Sequence, residues 1–161
     1  MTAGAEIQAV TFGLGDEIFA VRVACVREIL DHAPAFRIPN GPDWLLGLTD
    51  VRGQGVPTID FRAKLGLARV DPDMATRILI VDLPLPDRVL ALGLVVDRVL
   101  NVTTFGSEQV EPAPDIGVRW RSDYIEGVMR QPDGFVVLVD LSRIFTSEDG
   151  AMLPTTMRQA A

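Results

Sequence analysis

Apolar side chains recur at every second residue along most of this chain, and that spacing limits what it can become. Val10, Phe12 and Leu14 alternate with small or polar neighbours, Gly15 and Asp16 supply a turn, and Phe19, Val21 and Val23 alternate again. A period of two puts one set of side chains on one face of an extended strand, so this stretch reads as a hairpin. Further strand-like runs are Val56 to Ile59, Ile78 to Leu83, Val89 to Val96, Val99 to Thr104, Tyr124 to Met129 and Phe135 to Val139. Many short strands cut by Gly, Pro and Asp turns point to a mainly β fold, barrels or a sandwich, and away from alternating βαβ units.

Helical patterns are short. Ala24 to Leu30 places Val26, Ile29 and Leu30 on one helical face and predicts a first helix, stopped before Pro34. Pro42 and Asp43 predict a single turn running through Trp44 and Leu45. Pro57 removes a ladder donor, so its strand is expected to be at an edge or bulged there. In TDVRGQGVPTIDFR, Thr49 to Arg62, Gly53 and Gly55 are expected to reverse the chain, since glycine takes positive φ without steric cost. Arg52 is not needed for that turn. It calls for a carboxylate inside the fold, with Glu28 the candidate, or for a partner outside it.

The chain also echoes itself. A shift of 80 residues lays Gly47 on Gly127, Ile59 on Val139, Asp60 on Asp140, Phe61 on Leu141 and Leu65 on Phe145. A shift of 73 lays Val21, Val23, Val26 and Ile29 on Leu94, Val96, Val99 and Val102. Two similar small β units follow, each with a strand ending in an aspartate placed to cap a short helix.

Composition narrows the function. At 161 residues the chain can bury roughly 70% of its unfolded surface. Its 48% apolar and 23% charged content is that of a folded protein. Fifteen Lys and Arg against 22 Asp and Glu give a net charge of -7, which opposes nonspecific binding to a phosphate backbone. The apolar run Val89 to Val96 is far below the roughly 20 residues of a spanning helix. MTAGAEIQAV has no basic segment ahead of an apolar one, so no secretory signal is expected. One cysteine, Cys25, permits no internal disulfide, and with the single histidine, His32, it supplies at most two metal ligands. A reducing cytoplasm is the expected setting, and no cofactor is expected.

Catalytic constellations are thin. GLGDEI at Gly13 to Ile18 starts like a dinucleotide fingerprint but lacks the third glycine and a long following helix, so it reads as a hairpin turn. Cys25 and His32 could form a nucleophile pair, but no orienting partner is evident and structural roles are the simpler reading. The carboxylates have local duties: Asp16 and Asp133 at turns, Asp60 and Asp140 as caps, Asp43 in a first turn. No acid and base pair can be located, and no enzyme is expected.

The run VREILDHAPAFRIPNGPDWLLGLTDVRGQGVPTIDFRAKLGL, Val26 to Leu67, resembles the CheW-like chemotaxis coupling proteins. The family features it resembles are a Val-x-Glu-Ile helix, a Pro-Asn-x-Pro turn, a Gly-x-x-x-Leu-Arg-Gly strand end and a Pro-x-x-Asp-Leu-Arg strand end. VVDRVLNV at Val95 to Val102, EPAP at Glu111 to Pro114 and YIEGVM at Tyr124 to Met129 extend the likeness over roughly Val10 to Ile144. The resemblance implies two SH3-like five-stranded β-barrels packed around a groove, with a few short helices, as one domain over residues 10–146 between flexible tails at 1–9 and 147–161.

It further implies a non-catalytic adaptor. Such proteins couple the cytoplasmic tips of chemoreceptors to the regulatory domain of the histidine kinase CheA, in arrays at the inner face of the membrane. The receptor-facing groove would include Val23, Val26, Glu28, Gly47, Arg52 and Val102. The kinase-facing surface would lie on one barrel's loops and edge strands. Where the family often has Asn, this chain has Asp50 followed by Val51, and that extra acid could tie Arg52 up internally. LPLPDR at Leu83 to Arg88 and IGVRWRS at Ile116 to Ser122 are this chain's own, and Trp120 could be a core anchor or an interface residue. A pilus-linked or other chemosensory pathway, or in another class a β module whose groove holds a small ligand, stays open as an alternative.

Overall fold

A computed structural model describes residues 6–112, 124–132, 134–145 and 157–158. Among the described residues twelve strands run in chain order: β1 (Ile7–Leu14), β2 (Glu17–Arg22), β3 (Val26–Asp31), β4 (Leu45–Val51), β5 (Gln54–Asp60), β6 (Arg77–Pro84), β7 (Val89–Val96), β8 (Arg98–Phe105), β9 (Val110–Glu111), β10 (Ile125–Gln131), β11 (Gly134–Val139) and β12 (Met157–Arg158). Two single-turn helices, α1 (Phe61–Lys64) and α2 (Leu141–Ile144), follow β5 and β11. The strands form two sheets of six, each with five long strands and one of two residues. Sheet A has the order β8-β1-β2-β11-β10-β9, and sheet B the order β12-β5-β7-β6-β3 with β4 beside β5. The mainly β, two-unit expectation holds, with sheet ladders that are open at their ends and not closed rings.

The internal echo is structural to the level of single residues. β4, β5 and α1 correspond to β10, β11 and α2. Both antiparallel pairs carry a bulge at the same place, between Leu45 and Gly47 and between Ile125 and Gly127. Asp60 N donates to Trp44 O at 2.9 Å, and Asp140 N donates to Tyr124 O at 2.8 Å. The parallel contacts agree as well: Thr58 faces Gly93, and Leu138 faces Ala20. These two pairings differ by 80 on one strand and 73 on the other, the two registers of the echo. Asp60 accepts from Ala63 N at 3.3 Å and Asp140 from Ser142 N at 3.0 Å, the expected caps.

The repeats exchange parts. Hairpin β1–β2 opens the first repeat, yet the rest of that repeat, β3 to β5, joins sheet B. Hairpin β6–β7 opens the second, and its followers β8, β10 and β11 join sheet A. Each sheet is therefore built from both repeats.

Strands at the centre are buried on both faces. Phe12, Leu14, Phe19, Leu79, Leu92, Leu94, Val128 and Val137 form a core shared between the sheets. The opposite faces form two smaller cores: Ile7, Ala9, Ala20, Phe105 and Leu138 in sheet A, and Val56, Ile78, Ile80 and Ala91 in sheet B. The alternation places large residues toward the shared core and small ones such as Ala9, Ala20 and Ala91 toward the inner cores. This is the period of two read from the sequence, with the small residues buried as well.

Three expectations are corrected. Ala24 to Leu30 is not a helix: Val23–Cys25 makes one 3-10 turn and Val26–Asp31 is strand β3. VREIL alternates as well as it spirals, and pairing with β6 outweighs its weak helical preference. In the β4–β5 turn the positive φ residues are Arg52 and Gly53, at 54° and 83°, while Gly55 lies inside β5. The expected tails contain strand: β1 starts at Ile7, and β12 pairs with β5 through Met157 and Arg158, because the β5 backbone at Gln54 and Gly55 offers free ladder groups. Pro57 sits where its missing donor costs least, between the residues of β5 that pair with β12 and those from Thr58 onward that pair with β7. Leu45 N donates to Pro42 O at 3.0 Å, closing the expected single turn. Asp133, Ala113, Pro114 and the segment Ile116 to Ser122 with Trp120 lie outside the described residues.

Candidate functional site

β3 and β8 each end a sheet, sheet B and sheet A in turn, and they are counterparts under the shift of 73. Each is bulged at the same repeat position: β3 between Val26 and Glu28, β8 opposite Thr11 and Phe12 around Leu100. A bulge inserts one residue and turns the side chains beyond it to the other face. Val26 lies opposite Val81 and packs on the shared core, as does Val23. Glu28 would share that face in a regular strand. The bulge instead sets it opposite Ile80, on the face of sheet B's inner core, where Leu30 and Val51 also pack.

That re-aiming brings Glu28 to Arg52. Arg52 Nη2 donates to Glu28 Oε1 at 3.4 Å and Nε lies 3.4 Å from Oε2. The Arg52 side chain keeps 82% of its surface exposed, so the pair is a loose contact at high dielectric and contributes little to stability. Asp50 does not tie Arg52 up. Its Oδ1 accepts from Gly53 N at 3.0 Å and braces the turn that holds Arg52 at positive φ. The guanidinium is thus presented outward by its own backbone.

The six residues expected to line one groove divide into four groups. Val23 and Val26 border the shared core. Glu28 and Arg52 form the ion pair on the other face of sheet B. Val102, on β8 opposite Val10, is 63% exposed and extends the shared-core face beyond its covered part. Gly47 lines no open surface: it is buried, its φ is 147°, and an added Cβ would lie 2.0 Å from the Phe36 carbonyl oxygen. Phe36 reaches that close because it bridges to Leu48, with hydrogen bonds of 2.7 and 2.8 Å. Gly47 lets this bridge form.

Sequence reasoning passed over Ile29. It faces the same side as Leu79, is 42% exposed, and is the repeat counterpart of Val102. The shift of 73 already paired the two, but a helix assigned to Ile29 hid the strand relation.

Other chemistry is placed elsewhere. A cleft of about 820 Å³ lies between the loop after β3 and the loop before β6, lined in part by His32, Arg37, Asp43, Asp60, Arg62 and Asp97. Its size suits a ligand. Arg62 and Arg69 do not converge on its space: Arg62 is bound bidentately to Asp97 at 2.8 and 2.5 Å, and Arg69 turns to Asp60 and the Asp43 carbonyl. Cys25 precedes β3 and His32 follows it, so six strand residues hold them about 20 Å apart and no dyad forms. Burial and then the nearby Asp140 push the Cys25 thiol above its ordinary value, away from the thiolate a nucleophile needs. Among the described residues no group of three or more His, Cys, Asp and Glu is placed to hold a metal ion. Nor is any helix of them long and apolar enough to cross a membrane.

Comparison with known proteins gives the family and the fold. The chain is 32% identical over 142 residues to the chemotaxis protein CheW of Rhizobium meliloti, covering 88% of this chain and 89% of that one. It is 33% identical over 142 residues to the chemotaxis protein CheW of Klebsiella aerogenes, covering 88% and 83%. The crystal structure of the scaffolding protein TtCheW from Thermoanaerobacter tengcongensis superposes with a TM-score of 0.80 at 24% identity, over 92% of this chain and 99% of that one, which shows the same fold. With the CheW-like domain profile matching residues 8–149, the chain belongs to the CheW-like family.

Proposed function

We propose that this protein is a non-catalytic chemotaxis adaptor that couples the cytoplasmic tips of chemoreceptors to the regulatory domain of the histidine kinase CheA, at receptor arrays on the inner face of the membrane. Its working part is one CheW-like domain made of two intertwined subdomains. The observation that carries the reading is the outward presentation of Arg52: a cation held at positive φ, paired only loosely with Glu28, on a scaffold whose family members are named for chemotaxis. A receptor carboxylate can take Arg52 from Glu28 at small cost, since an exposed ion pair is worth about 0–1 kcal/mol.

The apolar part of the same contact is assigned to Val23, Val26 and Val102, with Ile29 added and Gly47 as internal support. A receptor helix would anchor apolar side chains on these residues and leave a polar rim at Glu28 and Arg52. Contacts of this size give modest affinity, which many copies in an array multiply.

The test is capture by an immobilised receptor cytoplasmic fragment. Arg52→Glu sets a like charge against Glu28 and is expected to reduce capture at least tenfold, with an unchanged thermal melt. Equal capture of Arg52→Glu and parent would overturn the assignment of this face. Co-purification from the native cell tests the wider reading: a chemoreceptor and a CheA-type kinase are expected together, and recovery of neither would sink it.

A further inference from the structure

The hairpin that carries Arg52 outruns the sheet beside it. β7 pairs with β5 only from Thr58 to Asp60, and Phe36 bridges β4 only at Leu48. Nearer the turn, Thr49 to Val51 pair with Gln54 to Val56 as a ladder of two strands, which is marginal in water. That end also holds Arg52 at positive φ, a conformation that a residue other than glycine keeps only where its surroundings over-determine it. Asp50 Oδ1 accepts from Gly53 N at 3.0 Å, so the brace of the turn lasts only while β4 and β5 stay paired.

Among the described residues one further strand reaches this end. β12 pairs antiparallel with β5, Met157 opposite Gly55 and Arg158 opposite Gln54. The turn decides which groups it meets. Arg52 and Gly53, both at positive φ, are the central residues of a primed two-residue turn, so the flanking Val51 and Gln54 exchange both hydrogen bonds of a closing pair. Successive strand residues aim their N–H and C=O to opposite sides, so Gly55 offers both groups away from β4, on the side where Met157 lies. β12 is thus a third strand at the turn end, tied through main-chain groups. Such a tie is lost with one N–H and is indifferent to side-chain identity.

We propose that the C-terminal strand β12 is a latch that fixes the Arg52 turn, and that its docking is coupled to engagement of Arg52 by a partner. The coupling rests on the reading of Arg52 as the receptor-facing cation; the latch does not. By linkage each event strengthens the other by the same factor. A docked β12 spares the partner the cost of ordering the turn, and a partner that needs the turn ordered tightens β12.

Amide hydrogen exchange followed by NMR tests the latch, with capture by a receptor cytoplasmic fragment measured alongside. Met157→Pro removes a main-chain donor of β12, Met157→Ala keeps it, and a chain ended at Thr156 lacks the strand. Met157→Pro and the shortened chain are expected to exchange the Gly53 and Gly55 amides about tenfold faster than the parent, a larger factor than at Leu94 in the core, with Met157→Ala like the parent. A rise at Gly55 no larger than that at Leu94 overturns the latch, as does an effect of Met157→Ala equal to that of Met157→Pro. Capture is expected to fall about threefold in the same two variants. Faster exchange with capture equal to the parent's overturns the coupling. A parent that captures no receptor fragment sinks the receptor reading instead, and the exchange result still decides the latch.

Discussion

Arg52 and Gly47 show how one side chain can carry a job that its neighbours make necessary. Arg52 occupies the left-handed region at the first central position of a two-residue turn, a place asparagine or glycine fills at less cost. Arg52→Asn is therefore expected to stabilise the fold by about 0.5–1 kcal/mol in urea unfolding while losing receptor capture. A gain in stability with a loss of binding would show that the turn retains arginine for its head group. Gly47→Ala should instead lower stability, by about 3 kcal/mol, since its Cβ meets backbone and its φ suits no side chain. The repeat counterpart Gly127→Ala is expected to cost less, because the nearest atom there is the Val110 side chain, which can turn aside. At this scale the sequence was half legible. The residue types marked the turns, but whether Gly47 bordered a groove or filled a close approach depended on Phe36, eleven residues away and carrying no signal of its own.

Among the elements, capping and bulging decide where function can sit. Asp60→Ala and Asp140→Ala each remove a side-chain acceptor from a one-turn helix, and each is expected to cost about 1 kcal/mol in chemical unfolding. Equality of the two would confirm that the repeats are energetically as well as geometrically alike. These caps were legible because aspartate followed by an apolar turn has one common use. The β3 segment was not. Val26, Ile29 and Leu30 fit a helical face, and the alternation that supports a strand is broken at Arg27 by the bulge, so neither period runs cleanly through VREIL. The irregularity that confused the reading is the one that aims Glu28 at Arg52. Strands β1, β6 and β7 were read correctly because they face a core on both sides, which leaves long apolar runs without such a break.

For the molecule as a whole, the shared core and the Arg62–Asp97 pair, in which Asp97 also accepts from Gly15 N at 2.7 Å, both contribute to stability. Phe12 is fully buried between the sheets, stacked at 6.1 Å on Phe19, and Phe12→Ala is expected to cost about 3–5 kcal/mol. Asp97 sets the response to acid. The Arg62 hydrogen bonds first, and the Gly15 amide after them, hold its carboxyl below the usual range, against the opposing effect of burial, with Arg62 and Arg98 as the charges facing it. A carboxyl lowered on folding contributes stability that is present above its unfolded value and is lost as pH falls through the folded one. Stability should thus decline with acidification through and below the ordinary carboxylate range, and the decline should be shallower in Asp97→Asn. The two-unit architecture was legible from the echo, but the exchange of hairpins was not, since a sequence shift reports likeness and says nothing of which copy pairs with which. That exchange has a consequence for synthesis. All long strands of sheet B lie between residues 26 and 96, so that sheet can close while the ribosome is still working, and β1 and β2, made first, must wait for β11 before their own sheet is whole. Hairpin β1–β2 thus precedes sheet B in synthesis, yet β2 meets its second neighbour only after sheet B's long strands are complete.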